Sequence, residues 1–307
     1  MVNLKMQIPS NFYEGETRCN YYVSPKTKEL WAVLLDLLVE FMRVCNENGI
    51  QYFMCGGTIL GAVRHNGFIP WDDDIDIMML RSEYEKLCKI GPIAFKHPYF
   101  FQTEQTDPGS CKGHAQIRNS NTTGFLIDEK QANFTFNQGI FIDVFPLDDI
   151  PSRFRVQYRH IENVVRLHHE CKEMRDVVMY HRCPSLTKNF RKDIMLVVKN
   201  LWHRYRWSKQ SYTQKINTFE DVCTKYNNTD CTNVILTPFP IENGIWKKSY
   251  FSDAVYFPFE MINVPVPIGY ESILKEIYGD WHKFIINDSL HGNLFIDTNV
   301  SYKHYLK

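Results

Sequence analysis

The chain has 307 residues, 44% hydrophobic and 23% charged, a composition that excludes a disordered or fibrous protein. Lys and Arg together number 35, as do Asp and Glu, so the overall charge gives no sign of a polyanion, and no nucleic-acid partner is expected. The nine scattered cysteines form no CxxC pair, which favours reduced thiols. Because neither a signal-peptide h-region nor an apolar run of about 18 residues occurs, we expect a cytoplasmic protein.

The first predicted element is an amphipathic helix over residues 25–48. Ser24 suits its N-cap and Pro25 its first turn, and leucines recur behind them at helical spacing. A later helix is expected to open at Ser82, with Glu85 at the capping-box position. Between these two helices we expect a short strand at 50–55, a helix at 59–65 and an acidic strand at 72–80. This order of elements indicates an α/β layer.

The remaining elements begin with an alternating strand over 138–145, whose exit is marked by Pro146 and Pro151. After it we expect helices over 152–226, strands over 233–270 and a short helix over 270–278 that stops at Gly279.

No long linker divides the chain. We therefore prefer a catalytic region at 1–150, which includes the N-terminal helix, and a helical and β-containing region at 151–307 packed on it as one unit. The fold class expected is α/β (α+β), with a small mixed sheet and a largely helical C-terminal half.

An acidic cluster lies on the strand predicted at 72–80. Alternate residues of a strand share a face, so Asp72, Asp74 and Asp76 are expected on one side and Ile75 and Ile77 on the other. Carboxylates crowded together repel one another unless a cation lies among them. An all-oxygen ligand set suits Mg²⁺ or Mn²⁺. A solvated acidic loop is the alternative, but it does not explain the interleaved isoleucines.

A Gly-Gly pair, Gly56 and Gly57, stands just before the helix predicted at 59–65. Glycines let backbone N–H groups approach an anion closely, and a helix N-terminus favours negative charge. Such a pair is commonly just a turn. Beside an acidic strand, it predicts a phosphate cradle that holds a diphosphate together with a metal ion.

Asp143 is the third candidate carboxylate, since it is the one charge in the apolar strand 140–145. A buried carboxylate needs a partner. Asp143 could cap a turn or pair with an arginine, but we favour a carboxylate set contributed by two strands.

Three segments together resemble the LicD family. They are CGGTILGAVRHNGFIPWDDDID at 55–76, GIFIDVFPLDDIP at 139–151 and, less closely, FPFEMINVPVPIGYESILKEIYGDW at 257–281. The resemblance is strong from about residue 30 to 150 and weaker over 246–291, and 152–232 does not match. After YGD, residues 281–286 depart from the family pattern, and His291 aligns only loosely with a family histidine. This departure puts the acceptor side in doubt.

The resemblance implies a nucleotidyltransferase-type fold and an Asp-x-Asp metal pair. It also implies transfer of phosphocholine from CDP-choline to a cell-surface glycan, such as a lipopolysaccharide, teichoic acid or capsule precursor, which can be lipid-linked. In the fukutin-related branch the group is ribitol phosphate or a related CDP-alcohol-derived group. The roles carried over are catalysis and metal binding for Asp74, Asp76 and Asp143, and donor-phosphate contact for Gly56, Gly57, Thr58, Arg64 and Arg118.

Some roles stay open. Arg64 and Arg118 fit ordinary structural ion pairs equally well. In an in-line displacement by a sugar hydroxyl, Asp143, Asp72 or Asp73 could accept the proton.

Three other functions share parts of this pattern. A true nucleotidyltransferase would use the same metal site but leave the nucleotide on its acceptor. A sugar-nucleotide glycosyltransferase also uses Asp-x-Asp, although it does not need an upstream Gly-Gly helix. An inactive adaptor could keep the fold, but an idle carboxylate cluster would be a repulsive burden.

Residues 151–215 carry 15 Lys and Arg against 5 acids, a local excess of positive charge. Within them, 190–207 mixes basic residues with Trp and Leu, a pattern that fits peripheral contact with an anionic membrane surface. The same pattern fits a core-packed helix with a solvated basic face.

Overall fold

A computed structural model describes residues 2–126, 134–181, 190–240, 244–286 and 294–306. Across these residues the helices are α1 Pro25–Glu47, α2 Gly56–His65, α3 Arg81–Ala94, α4 Phe154–Val178, α5 Phe190–Arg206, α6 Lys209–Cys223 and α7 Tyr270–Tyr278. The strands are β1 Glu16–Arg18, β2 Tyr21–Val23, β3 Phe53–Met54, β4 Asp76–Leu80, β5 Tyr99–Gln102, β6 Ala115–Asn119, β7 Thr123–Leu126, β8 Ile140–Ile150, β9 Asn233–Leu236, β10 Ile245–Lys247, β11 Ala254–Phe259, β12 Ile262–Pro267 and β13 Leu294–Asp297.

A mixed seven-stranded sheet is built around β8. On one edge β8 runs parallel to β4, which in turn pairs with the short β3. On its other edge β8 pairs antiparallel with β6 in its first half and with β9 in its second half, and β5 and β10 extend these two arms. The buried β-branched residues Ile140, Ile142 and Val144 favour this central position. The expected α/β fold with a mixed sheet is confirmed.

Helix α1 backs the sheet. Its N-cap is Ser24, whose hydroxyl accepts a hydrogen bond from the Thr27 amide, and Pro25 begins the first turn, as the sequence predicts. The helix buries Leu34, Leu37 and a row of other apolar side chains almost completely. Each such side chain contributes roughly 1.5–3 kcal/mol by leaving water, so α1 is a firm support for the sheet.

The predicted start of α3 and the predicted end of β8 are wrong. Helix α3 begins at Arg81 and has no side-chain cap, so the capping box expected at Ser82 does not form. The reason is tertiary, because Arg81 is drawn into a bidentate ion pair with buried Asp148 at 2.6 and 2.7 Å. Strand β8 passes through Pro146, whose carbonyl accepts a hydrogen bond from the Thr237 amide, and continues to Ile150.

Asp148 joins the sheet to the elements that follow it. Besides Arg81, its carboxylate accepts hydrogen bonds from Asn227, at 2.7 Å, and from the Thr237 hydroxyl. Glu220 of α6 also approaches Arg81, at 3.5 Å. One buried carboxylate of β8 therefore holds the start of α3, Asn227 and the residue that follows β9. None of the described helices is long and apolar enough to cross a membrane.

Candidate active site

The register of two parallel strands brings two predicted carboxylates together. Asp76 at the start of β4 lies directly opposite Asp143 of β8. The Asp143 amide donates to the Ile75 carbonyl at 3.1 Å, which fixes the strands at this point. The pairing of β4 with β8 thus brings together Asp76 and Asp143, which are 67 residues apart in the sequence.

The other acidic residues precede the strand and do not lie on it. Asp72, Asp73 and Asp74 form a loop in which one ligand oxygen from each lies within 4.8 Å of the others. The Trp31 indole N–H donates to the Asp72 carbonyl at 2.9 Å and anchors this loop to α1. The strand predicted at 72–80 is therefore wrong before Asp76, where β4 starts, whereas Ile75 and Ile77 are buried as predicted.

Helix α2 points its N-terminus at these carboxylates. It begins at Gly56 and not at Ile59, so the glycine pair forms its first turn. Gly56 has φ +49°, which favours glycine. A Cβ on Gly57 would lie 2.8 Å from Asp72 Oδ2, so only glycine fits without moving the carboxylate. The helix N-terminus and the acidic loop therefore face one narrow space.

Thr58 and Cys55 join α2 to β4. The Asp76 amide donates to the Thr58 hydroxyl at 2.9 Å, and the Cys55 amide donates to the Asp76 carbonyl at 2.8 Å. Thr58 is buried, so in this structure its hydroxyl aligns the strand with the helix. Its predicted contact with the donor phosphates stays a prediction. Burial, followed by the charges of Asp76 and Asp74, raises the pKa of the Cys55 thiol, which is therefore neutral.

The clustered carboxylates disfavour one another's charged forms. Desolvation raises the pKa of Asp76 well above its ordinary value, and the charges of Asp74, Asp143 and Asp72 add to this effect. Desolvation, followed by Asp74 and Asp73, raises the pKa of Asp72 to about 8. The fold thus concentrates negative charge that a cation would relieve.

Two residues that hold Asp143 were missed in the sequence. His114 Nε2 lies 2.7 Å from Asp143 Oδ1, and the Gln116 side-chain amide donates to the same oxygen at 2.6 Å. Desolvation alone would raise the pKa of Asp143, but His114 and Gln116 outweigh it and lower the pKa. The overlooked signal is the alternation of His114, Gln116 and Arg118 along β6, which puts three polar side chains on one face.

Arg118 lies behind this pair. Its guanidinium donates to the Gln116 side-chain oxygen, to the Gln102 side chain and to the Gly139 carbonyl, and the residue is 1% exposed. Such burial disagrees with the expected direct contact between Arg118 and a donor phosphate. In this structure Arg118 instead orients Gln116, which in turn holds Asp143.

Arg64 lies about two helical turns from Gly57 on α2. Its guanidinium donates to the carbonyls of Trp281 and Lys283 at 2.8 and 2.9 Å and lies over the Phe284 ring. Arg64 therefore fastens the segment after α7 to α2, and its contact with donor phosphates stays a prediction. His291, the loosely aligned histidine, lies outside the described residues.

Tyr278 is another neighbour of the site that the sequence did not single out. It ends α7, and its hydroxyl lies 3.9 Å from where a Gly56 Cβ would stand. Burial, followed by the charges of Cys55, Asp72 and Asp76, raises the pKa of Tyr278, so the hydroxyl stays protonated. It is a hydrogen-bond donor at the edge of an acidic cluster.

The helical half also borders the site. The Phe239 ring lies 5.7 Å from the His114 ring and 5.4 Å from the His168 ring of α4. Lys172, one turn further along α4, lies 5.4 Å from the Phe239 centroid. Residues from 151 onward therefore supply a basic and aromatic wall next to Asp143.

The donor set suits a hard divalent cation. Asp72, Asp73 and Asp74 bring carboxylate oxygens together, as Mg²⁺ and Mn²⁺ prefer, and Asp76 and Asp143 offer further carboxylate oxygens. Next to such an ion, the α2 N-terminus can receive phosphate oxygens. The arrangement can hold a diphosphate and take up the charge that develops on a leaving phosphate.

Known proteins share this arrangement of motifs. Residues 49–163, which include α2, β4 and all of β8, match the family described as LicD/FKTN/FKRP nucleotidyltransferase domains. The chain carries a LicD-family domain. The resemblance seen in the sequence is thereby confirmed, and the LicD-family domain contains the whole carboxylate cluster.

Two relatives show how far the similarity reaches beyond the LicD-family domain. The lipopolysaccharide cholinephosphotransferase LicD of Haemophilus influenzae is 27% identical over 83% of this chain and 91% of its own length. The human ribitol 5-phosphate transferase FKRP is 47% identical over 34 residues, which are 11% of this chain and 7% of that protein.

Proposed function

We propose that this protein transfers a phosphoalcohol group, phosphocholine foremost, from a CDP-alcohol to a hydroxyl group of a glycan. The observation that carries the proposal is the juxtaposition of Asp76 and Asp143 on parallel strands, with the N-terminus of α2 against them. The long match to a cholinephosphotransferase supports phosphocholine as the group transferred. The acceptor class proposed is a lipopolysaccharide, teichoic acid or capsule precursor.

A divalent cation, Mg²⁺ or Mn²⁺, belongs to this proposal. Asp74, Asp76 and Asp143 would hold it: Asp76 lies opposite Asp143, and one oxygen each of Asp72 and Asp73 lies within 4.8 Å of an oxygen of Asp74. When bound, the cation would neutralise charge on the donor phosphates. The oxygen-only donor set and the mutual repulsion of these carboxylates support this assignment.

Residues of the chain itself would position the donor and the acceptor. The first turn of α2 presents backbone amides to the donor diphosphate, where Gly57 leaves room that a methyl group would fill. The acceptor oxygen attacks the phosphorus that bears the alcohol, and the bond from that phosphorus to the nucleoside monophosphate breaks. The hydroxyl proton passes to a carboxylate of the cluster. Gln116 and His114 keep Asp143 in place throughout.

The short match to a ribitol 5-phosphate transferase favours a second candidate, transfer of ribitol phosphate or glycerol phosphate by the same site. The two candidates share donor chemistry and differ in the alcohol. Identifying which CDP-alcohol the protein binds therefore distinguishes the two candidates.

Thermal-shift measurements with Mg²⁺ and each of CDP-choline, CDP-ethanolamine, CDP-glycerol and CDP-ribitol test the proposal. The true donor raises the melting temperature by an amount that grows with the ratio of its concentration to its dissociation constant, because it binds the folded chain only. Product analysis with a glycan acceptor should then show release of CMP. If no CDP-alcohol binds and CTP instead releases pyrophosphate, the protein is a nucleotidyltransferase and the proposal is wrong.

A further inference from the structure

Helix α5 turns its apolar side outward. Six large apolar side chains on it are between 47% and 92% exposed, namely Ile194, Met195, Val198, Leu201, Trp202 and Tyr205. Ile194, Val198, Leu201 and Tyr205 follow one another at intervals of four, three and four residues, so they form one stripe. The core-packed helix that the sequence also allowed is therefore not what forms.

The opposite side of α5 rests on the protein and is more polar. Its half-buried positions are Asp193, Leu196, Asn200 and His203, again at intervals of three and four. Beyond the helix end, Trp207 packs against the buried cluster of Met174, Val178 and Tyr212. Lys199 also lies 3.5 Å from Glu173 of α4, which helps to fix the orientation of α5. The apolar stripe thus faces solvent because the other face is anchored.

Basic residues line the stripe. Lys192, Lys199 and Arg206 repeat every seven residues along one edge, and Arg204 lies near the other edge. The Arg206 guanidinium lies 4.9 Å from the Trp202 ring centroid. Trp and Tyr beside Lys and Arg are typical of side chains at the boundary between lipid head groups and acyl chains.

We propose that α5 docks on an anionic lipid surface, with its apolar stripe in the head-group region and its basic edge on the phosphates. The positive charge beside the stripe favours an anionic lipid surface over a second copy of this chain. A second copy of the chain would bring the same basic edges together and repel, whereas anionic head groups attract them. None of the described helices is apolar enough to cross a membrane, so α5 lies in the interface.

Co-sedimentation of the full chain with vesicles tests this proposal. We expect binding to phosphatidylcholine vesicles that contain phosphatidylglycerol, much weaker binding to phosphatidylcholine alone, and loss of binding at high salt because screening removes the attraction. The vesicles contain neither donor nor glycan, so the result is independent of the reaction proposed above.

Two variants separate the apolar and basic contributions. Val198→Glu with Leu201→Glu should abolish binding, whereas Ile93→Glu, at a 71% exposed position on α3, should leave it unchanged. Lys192→Gln with Arg206→Gln should weaken binding to anionic vesicles about thirtyfold, since each basic residue near the surface contributes about 1 kcal/mol. Unchanged melting temperatures would show that these exposed positions do not affect folding.

Three results would overturn the proposal. The first is no binding by the natural chain to anionic vesicles at low salt. The second is equal binding by the Val198→Glu and Leu201→Glu variant. The third is lipid-free self-association of the natural chain that this variant abolishes, because the stripe would then be a contact between copies.

Discussion

The carboxylate site and helix α5 differ in which side chains they bury: the site draws charged side chains partly inside, whereas α5 leaves apolar side chains in solvent. At the site, charged side chains are drawn partly inside, because strand register places Asp76 opposite Asp143 and the acidic loop is pinned by Trp31. On α5, apolar side chains stay outside, because the polar face of the helix is anchored. Both regions carry an unfavourable arrangement in isolation. Each arrangement supports the binding that we propose there, a cation with a donor diphosphate at one region and a lipid surface at the other.

The largest effect should come from breaking the carboxylate site. Asp76→Asn should lower the transfer rate at least about a thousandfold, since several kcal/mol of charge stabilisation are lost with the metal position. The fold should persist, and relief of repulsion should hold or raise the melting temperature of the metal-free chain. Activity with each CDP-alcohol and thermal melts check this. Asp221→Asn, an exposed position on α6, is the control. Full activity of Asp76→Asn would remove Asp76 from the metal site.

The next effect concerns the buried ion pair between Asp148 and Arg81. Asp148→Ala should lower the free energy of unfolding by about 3–5 kcal/mol, because it leaves the buried Arg81 guanidinium without its carboxylate. Urea unfolding measures this change. Glu220→Gln is the matched control, since Glu220 approaches the same arginine at 3.5 Å but its side chain is 46% exposed. A loss no larger than that of the control would mean that the Arg81–Asp148 ion pair does not stabilise the fold.

A smaller effect is expected at the glycine turn. Gly57→Ala should weaken donor binding about tenfold or more, because its Cβ would meet Asp72 Oδ2 at 2.8 Å and intrude where the α2 amides receive phosphate. Acceptor binding should change little. Titration of donor and acceptor separately gives both constants. Unchanged donor affinity with weakened acceptor affinity would place the cradle elsewhere.

The last predicted effect is a dependence of stability on pH. The folded chain raises the pKa of Asp72 to about 8 through desolvation and then Asp74 and Asp73, so the folded state holds a proton that the unfolded state releases near pH 4. Stability in chelator should therefore fall as pH rises from about 4 to about 8, by at most about 1.4 kcal/mol per pH unit and proton. Mg²⁺ should reduce this loss. Melts in chelator at several pH values measure the slope, which Asp72→Asn should diminish; an unchanged slope would assign it to other groups.

Capping and helix-ending residues in the sequence correctly predicted the start of α1 and the end of α7. The Ser24 cap and Pro25 predicted the start of α1, and Gly279 marked the end of α7 at Tyr278. The same reasoning failed at Ser82. The helix begins one residue earlier, at Arg81, whose side chain is held by an ion pair with Asp148. It also ended β8 too soon, since Pro146 is tolerated there.

The sequence by itself determined the carboxylates, the glycine pair and the family, because these are properties of residue type and spacing. It also indicated that 190–207 is amphipathic and basic. Only the tertiary structure decided that His114 and Gln116 hold Asp143, that Arg118 is buried behind them, and that the apolar side of α5 faces outward. The reason is that pairing across strands and the choice of which helix face is anchored depend on residues distant in the chain, which no local pattern specifies.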